Sequence, residues 1–406
     1  MLRRVHSRVF AVTVAVFAGV CATGDMADAG DLKHAVETAA VIRTFPLEGM
    51  VIRRALTGET AVAFELEYAD SSAVAAYSLT GQLLFWRSAW NDGRSVLHLN
   101  AISQDGSTFL VMVDRGYKDW LNQILDSEGN ELGTMQTEVG EISPSGRYLC
   151  TVYNNTTTPP FEVYDRRGNK LGTDVEFLSP WNAQFVSDSI IVAADWGTDT
   201  ASVYFINLPS GSVRTEGHWD VGQSNLEWTR LRVTPDGAYA AIFNEYRIFV
   251  VDSSATEQWS DTCSDYITQS FWSDRGGWLV SLLYNTAHDS AGHIEIRGAQ
   301  SRSDYVRSAD TPFLWRFAMC VVSCKYSWMT NGVICVLPTS GWYQWPTTPY
   351  EPRETLFAEF DSDSMTISEP FTARGFYKPV SGEQVPPDTY LRVLFPDTVQ
   401  LIRLNR

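Results

Sequence analysis

Histidine is scarce in this chain, with six in 406 residues, and no C-x2-C pair accompanies it, so zinc-ligand spacing is absent. There is no Lys- or Arg-rich run. Against 31 Lys+Arg stand 48 Asp+Glu, a formal charge of −17, and this balance excludes the clustered cations through which proteins release counterions from nucleic acid. No apolar stretch reaches the ~20 residues that a membrane-spanning helix needs. No G-x-S-x-G is present, and beyond the first thirty residues nothing sustains a 3.6-residue apolar period. What the chain does have is 44% hydrophobic and 13% aromatic residues, enough to bury a large core and to exclude wholesale disorder.

The first residues have the order of a secretory signal peptide. Arg3, Arg4 and Arg8 precede the apolar run 9–22, and small residues follow at Ala27-Asp28-Ala29, the expected cleavage point. Acylation at Cys21 is the alternative, but the bulky Val20 fits a lipoprotein signal poorly. Loss of 1–29 removes three Arg and two Asp and leaves the remainder at −17 − 3 + 2 = −18. The chain is therefore expected to be exported, periplasmic or extracellular, with no integral membrane span.

An internal repeat dominates the rest. An apolar residue, a Ser or Thr and a polar turn ending in Gly precede an alternating strand in ISQDGSTFLVMV from Ile102, ISPSGRYLCTVY from Ile142, VTPDGAYAAIF from Val233 and WSDRGGWLVSLL from Trp272. Weaker copies place turns at Gly58, Ser189, Gly332 and Gly382, so the unit recurs every 39 to 56 residues. That interval is typical of one propeller blade. A second turn, at Gly81, Gly129, Gly168 and Gly211, follows the first at an offset of 22 or 23. Two hairpins per unit make a four-stranded antiparallel blade. The expected fold is an all-β propeller with eight such blades, or seven if the Gly382 unit is not one. The last unit is one strand short, and residues 37–47 have the composition to supply it and close the ring. The division is thus a signal peptide at 1–29, an N-terminal segment with the closing strand at 30–46, and the propeller at 47–406.

ISPSGRYLCTVY and VTPDGAYAAIF resemble the S-P-D-G turns of TolB-type and related bacterial WD-like propeller repeats. The resemblance covers nearly all of 47–406 and implies fold alone, because those glycines serve a turn and not a reaction. Propellers of this kind are commonly protein-binding or scaffold domains, and some are enzymes. No blade has the Trp-Asp ending of eukaryotic WD repeats.

For function, the expectation is a non-catalytic binding or scaffold module that holds a protein or glycan through loops at one end of the ring, with no cofactor or metal. Its aromatic candidates are Trp342, Tyr343, Trp345 and Tyr350, in a Pro-rich insertion of the seventh unit. The alternative is a carbohydrate- or peptide-active enzyme whose acids meet in the central funnel, which leaves no linear motif. His288 with His293, and the acidic turns Asp195–Asp199 and Asp361–Asp363, read as loops before they read as metal sites. Trp86, Trp272, Trp278 and Trp315 are expected to fill wedges between blades. An oxidising compartment invites a disulfide, and a loop from Ser327 to Gly332 would bring Cys324 opposite Cys335.

Overall fold

A computed structural model describes residues 29–406 apart from 48, 69–70, 91–94, 117–119, 137–140, 151–161, 172–181, 197–199, 209, 221–229, 245, 285–291, 310–327, 337–353, 381–384 and 395–396. Eight antiparallel sheets follow one another along the chain, each beginning with its innermost strand. Blade 1 spans Val51–Trp90 and blade 2 Val96–Met135. Blade 3 covers Glu141–Leu171, blade 4 Asn182–Asp220, blade 5 Arg230–Thr262 and blade 6 Tyr266–Arg307. Blade 7 runs from Trp328 to Arg374, its outer edge divided between two short strands. Blade 8 takes three strands from Phe376–Arg403 and its fourth, Ala40–Phe45, from the start of the chain.

The core is divided in the same way. Side chains alternate along a strand, so each blade offers one apolar face to each neighbour. In Val333–Val336, Val333 and Cys335 pack toward blade 8, while Ile334 and Val336 pack toward blade 6. Among the described residues, eight apolar clusters result, one at each junction of consecutive blades including that of blade 8 with blade 1. A ring needs as many interfaces as blades, and this correspondence sets the number at eight.

Closure follows the sequence expectation. Ala40–Phe45 pairs antiparallel with Val399–Arg403, and Phe45 is buried against Phe64 and Tyr77 of blade 1, with ring centroids 5.5 and 5.6 Å away. The segment before it departs from expectation, because Ala29–Glu37 is a helix. Leu32, Ala35 and Val36, spaced i, i+3, i+4, are buried in the junction of blades 7 and 8. Nine residues are too few for a sustained helical period to show in the sequence.

The recurring Ser or Thr has a structural task. Its hydroxyl accepts the amide N–H five residues on, from Thr108 to Ser103 (2.9 Å), Tyr148 to Ser143 (3.1 Å), Tyr239 to Thr234 (3.0 Å) and Trp278 to Ser273 (3.2 Å). Gly146 closes its turn at φ +69° with its N–H on the Ser143 carbonyl. A Cβ at Gly146 would strike the Thr108 side chain of the preceding blade, so Gly146→Ala meets a left-handed backbone and a clash together. The expected cost is about 2 kcal/mol or more in urea unfolding; a change under ~0.5 kcal/mol would contradict this account of the repeat.

Candidate functional site: the axial mouth

The first turn of each blade joins its two inner strands, so these turns gather around the ring axis at one end. They are tied together. The Glu59 amide donates to the Gln104 carbonyl (2.6 Å), the Asp105 amide to the Pro144 carbonyl (3.0 Å), and the Asp274 amide to the Met329 carbonyl (2.9 Å). The Ser145 amide and hydroxyl both donate to the Asp188 carboxylate of the next blade.

Inside this collar lies a cavity of about 400 Å³, lined by the turn residues Gly58, Glu59, Gln104 and Pro144 and by the inner strands of blades 1 to 5 and 8. Three cations face it from three blades: Arg54, Arg232 and Lys378. Arg54 donates to the Leu99 carbonyl (2.8 Å), and Arg232 donates to the carbonyl of its own neighbour Leu231 (2.8 Å). Lys378 keeps partial access to the cavity, yet the blades crowd it as they would an enclosed group. That burial, with the charge of Arg54 second, pushes its ammonium down to about 8. Among the described residues neither Lys378 nor Arg232 has a carboxylate partner. Two carboxylates share the lining, Glu59, which accepts from Gln104 Nε2 (2.9 Å), and Glu141.

A second polar cluster lies where blade 5 meets blade 6. Along Gly292–Gly298 the alternate residues His293, Glu295 and Arg297 are all buried. Glu295 contacts Arg297 at 2.6 Å and His293 Nε2 at 3.2 Å, and it accepts from the Tyr305 hydroxyl at 2.9 Å. Arg297 also reaches Asp261 (3.2 Å), which Arg302 meets from outside (2.7 Å). Burial alone would raise the Glu295 carboxyl; the hydrogen bond from His293 and the charge of Arg297, followed by Tyr305, overcome it and hold the group below its ordinary range. Burial pushes the neighbouring Cys263 thiol up to about 11, away from the reactive thiolate. Glu295 is turned on His293, Arg297 and Tyr305, as in a structural brace, while Arg297 Nη1 is buried without a hydrogen-bond partner among the described residues.

The aromatic candidates Trp342, Tyr343, Trp345 and Tyr350 lie outside the described residues, as do Cys324, His288 and Trp315. The register behind the Cys324–Cys335 pairing does not hold. The hairpin turns at Asn331-Gly332, both at positive φ, so Thr330 faces Val333 and Cys335 faces Trp328; its buried thiol is free. An Asn-Gly pair between apolar runs is the two-residue turn signal that would have corrected the register. Trp272 and Trp278 fill wedges as expected: Trp272 is buried and donates to the Arg232 carbonyl (3.0 Å), and Trp278 lies 5.1 Å from Phe360. Trp86, by contrast, is 37% exposed on the outermost strand of blade 1. Asp361 caps its own hairpin, accepting from Asp363 N (2.9 Å) and Ser364 Oγ (2.6 Å). Among the described residues no group of three or more His, Cys, Asp and Glu side chains is placed to hold a metal ion.

No protein-family model and no curated protein matches the sequence. Solved structures do. The structure described as the Dos1 propeller is similar at a TM-score of 0.56 and 10% identity, covering 91% of this chain and 97% of that one. One described as a eukaryotic initiation factor gives 0.54 at 12%, covering 89% and 87%. The WD40 domain of Toxoplasma gondii coronin covers 91% and 85% at 0.47 and 10%. The chain has the β-propeller fold, with eight four-stranded blades. The TolB-type assignment finds no support in these neighbours. Among the described residues no helix is long and apolar enough to cross a membrane.

Proposed function

We propose that this chain is an exported, non-catalytic binding propeller that holds a protein or glycan through the loops at the end of the ring opposite the glycine turns. The observation that supports it is the distribution of connections. At the glycine-turn end, hairpins are short and hydrogen-bonded, such as 103–107, 143–147 and 234–238. The longest connections, 151–162, 172–181, 221–229, 308–327 and 337–353, all leave strand ends on the other side. Variable loops on a rigid ring are where recognition residues concentrate. Trp342, Tyr343, Trp345 and Tyr350 belong to the last of these connections and are the proposed aromatic contacts. Residues 1–29 serve as the export signal, which recovery of a secreted chain beginning at Gly30 would support and a secreted chain retaining those residues would contradict.

The test is binding of residues 30–406 to arrays of glycans and peptides, compared with a variant in which Trp342, Tyr343, Trp345 and Tyr350 are all Ala. The expected outcome is a loss of about tenfold or more, since buried aromatic anchors each carry about 2 kcal/mol, with the melting temperature unchanged. Equal binding by both proteins would remove the loop face from the proposal. The enzyme alternative rests on Glu59 and Glu141, the two carboxylates of the axial cavity. Glycoside or peptide hydrolysis abolished by Glu141→Gln would favour it.

A further inference from the structure

We propose that the axial cavity is a binding site for a small oxyanion, a multivalent carboxylate or phosphate, held by Lys378 and Arg232 with Arg54 on its flank. This concerns the opposite end of the ring from the loops and stands independently of them.

The argument starts from how this protein treats its other cations. In a chain of net charge −17, basic side chains are easily matched. Arg53 pairs with Glu67, Lys170 with Glu162, Arg297 with Glu295 and Arg406 with Glu359. At the axial mouth Lys378 and Arg232 depart from this pattern. Lys378 is one of five lysines in the whole chain, the others being Lys33, Lys118, Lys170 and Lys325, and the fold sets it beside Arg54 with no carboxylate upon it among the described residues. Arg232 reaches the same cavity from blade 5, and among the described residues its one side-chain hydrogen bond is to its neighbour's carbonyl. Gln184 spends its side-chain oxygen on the Val233 amide (3.0 Å), which leaves its NH2 group without an acceptor among the described residues.

Like charges kept together in a crowded space are unfavourable unless something of opposite sign joins them. An oxyanion between Lys378 and Arg232 would relieve the repulsion with Arg54 and accept charge-assisted hydrogen bonds, the stronger kind. The cavity, about 400 Å³, is of a size that takes a small molecule. The titratable groups facing the site are Arg54, Arg232, Glu59 and Glu141 besides Lys378 itself. The first two favour the anion. Glu59 and Glu141 oppose it, and binding strengthens as pH falls from 9 to 7 and Lys378 gains its proton.

The experiment uses residues 30–406 with lysines reductively methylated with ¹³C, which places few enough signals in the spectrum to follow each one. Pyrophosphate and citrate are the probes, at low ionic strength, with calorimetry alongside. The Lys378 signal is expected to titrate below the ordinary lysine range in the free protein, and to move up in pH when the anion is added. Calorimetry should show Lys378→Met weakening binding about tenfold or more, Lys378→Arg retaining it, and Lys170→Met leaving it unchanged. A response to pyrophosphate alone identifies phosphate as the ligand chemistry, and a response to citrate alone identifies carboxylate. If neither probe shifts the Lys378 signal, or if Lys378→Met binds as the unsubstituted protein does, the proposal is overturned. The NMR arm needs no substitution, so a variant that fails to fold does not rescue it.

Discussion

Phe45→Ala is expected to destabilise the protein by about 3–5 kcal/mol, the range for emptying a buried aromatic site. Phe45 is 2% exposed and contacts Phe64 and Tyr77 across the junction of blades 8 and 1. Its strand is the only described part of blade 8 that comes from the opposite end of the chain. Loss of its anchor therefore weakens a cavity-sized contact and the fastening of the ring in the same step. Deletion of residues 30–46 goes further, removing the closing strand and the helix that buries Leu32, Ala35 and Val36 beneath blades 7 and 8. The deleted protein should lose cooperative unfolding altogether and expose the edge of Thr398–Arg403 to association. Urea unfolding by circular dichroism checks the substitution, and gel filtration checks the deletion. A destabilisation below ~1 kcal/mol for Phe45→Ala would show that the closing strand contributes little.

Arg297→Met is expected to cost about 3–5 kcal/mol, because it leaves Glu295 as a buried charge without the guanidinium that contacts it. The double variant Arg297→Met, Glu295→Gln should recover much of that loss, since a neutral pair no longer carries the desolvation of a carboxylate. The pH dependence has a definite sign. Glu295 is held below its ordinary range in the folded protein, so it binds a proton less readily folded than unfolded. Its contribution to stability is complete above the unfolded value, about 4.3, and is lost as pH falls through the folded value. The unsubstituted protein should therefore lose stability more steeply than Glu295→Gln as pH falls below about 4.3, the offset between the two curves being constant above that value and shrinking below it. Thermal unfolding across pH 3 to 7 reads this directly. Parallel curves would mean that Glu295 is not ionised within its network.

How far the sequence discloses this molecule depends on whether a feature is local or assembled. The turns are local. A Ser or Thr that accepts from the residue five places on, with Gly at positive φ between them, must occupy fixed positions in each repeat, so Ile102–Val113 and Val233–Phe243 reveal the blades they open. The closing strand was legible for a different reason: the final unit lacks a strand, and 37–47 has the apolar content to replace it. The brace of His293, Glu295 and Arg297 was hidden. The Ser- and Gly-rich surroundings of His288 and His293 read as a solvated loop, whereas His293 lies in the strand Gly292–Gly298, which the packing of blade 5 against blade 6 buries. The axial cavity was hidden more completely. Arg54, Arg232 and Lys378 lie far apart in the chain and line one cavity only because the inner strands of three blades converge on one axis.

Closure of eight blades by the N-terminal strand carries the whole account, since both the axial mouth and the loop face exist only in a closed ring. Hydrogen exchange of residues 40–45 tests it most directly. Protection of those amides should match that of 399–403, their pairing partners, and both segments should lose protection together in Phe45→Ala. Exchange of 40–45 at the rate of an unstructured peptide, with the rest of blade 8 protected, would contradict it.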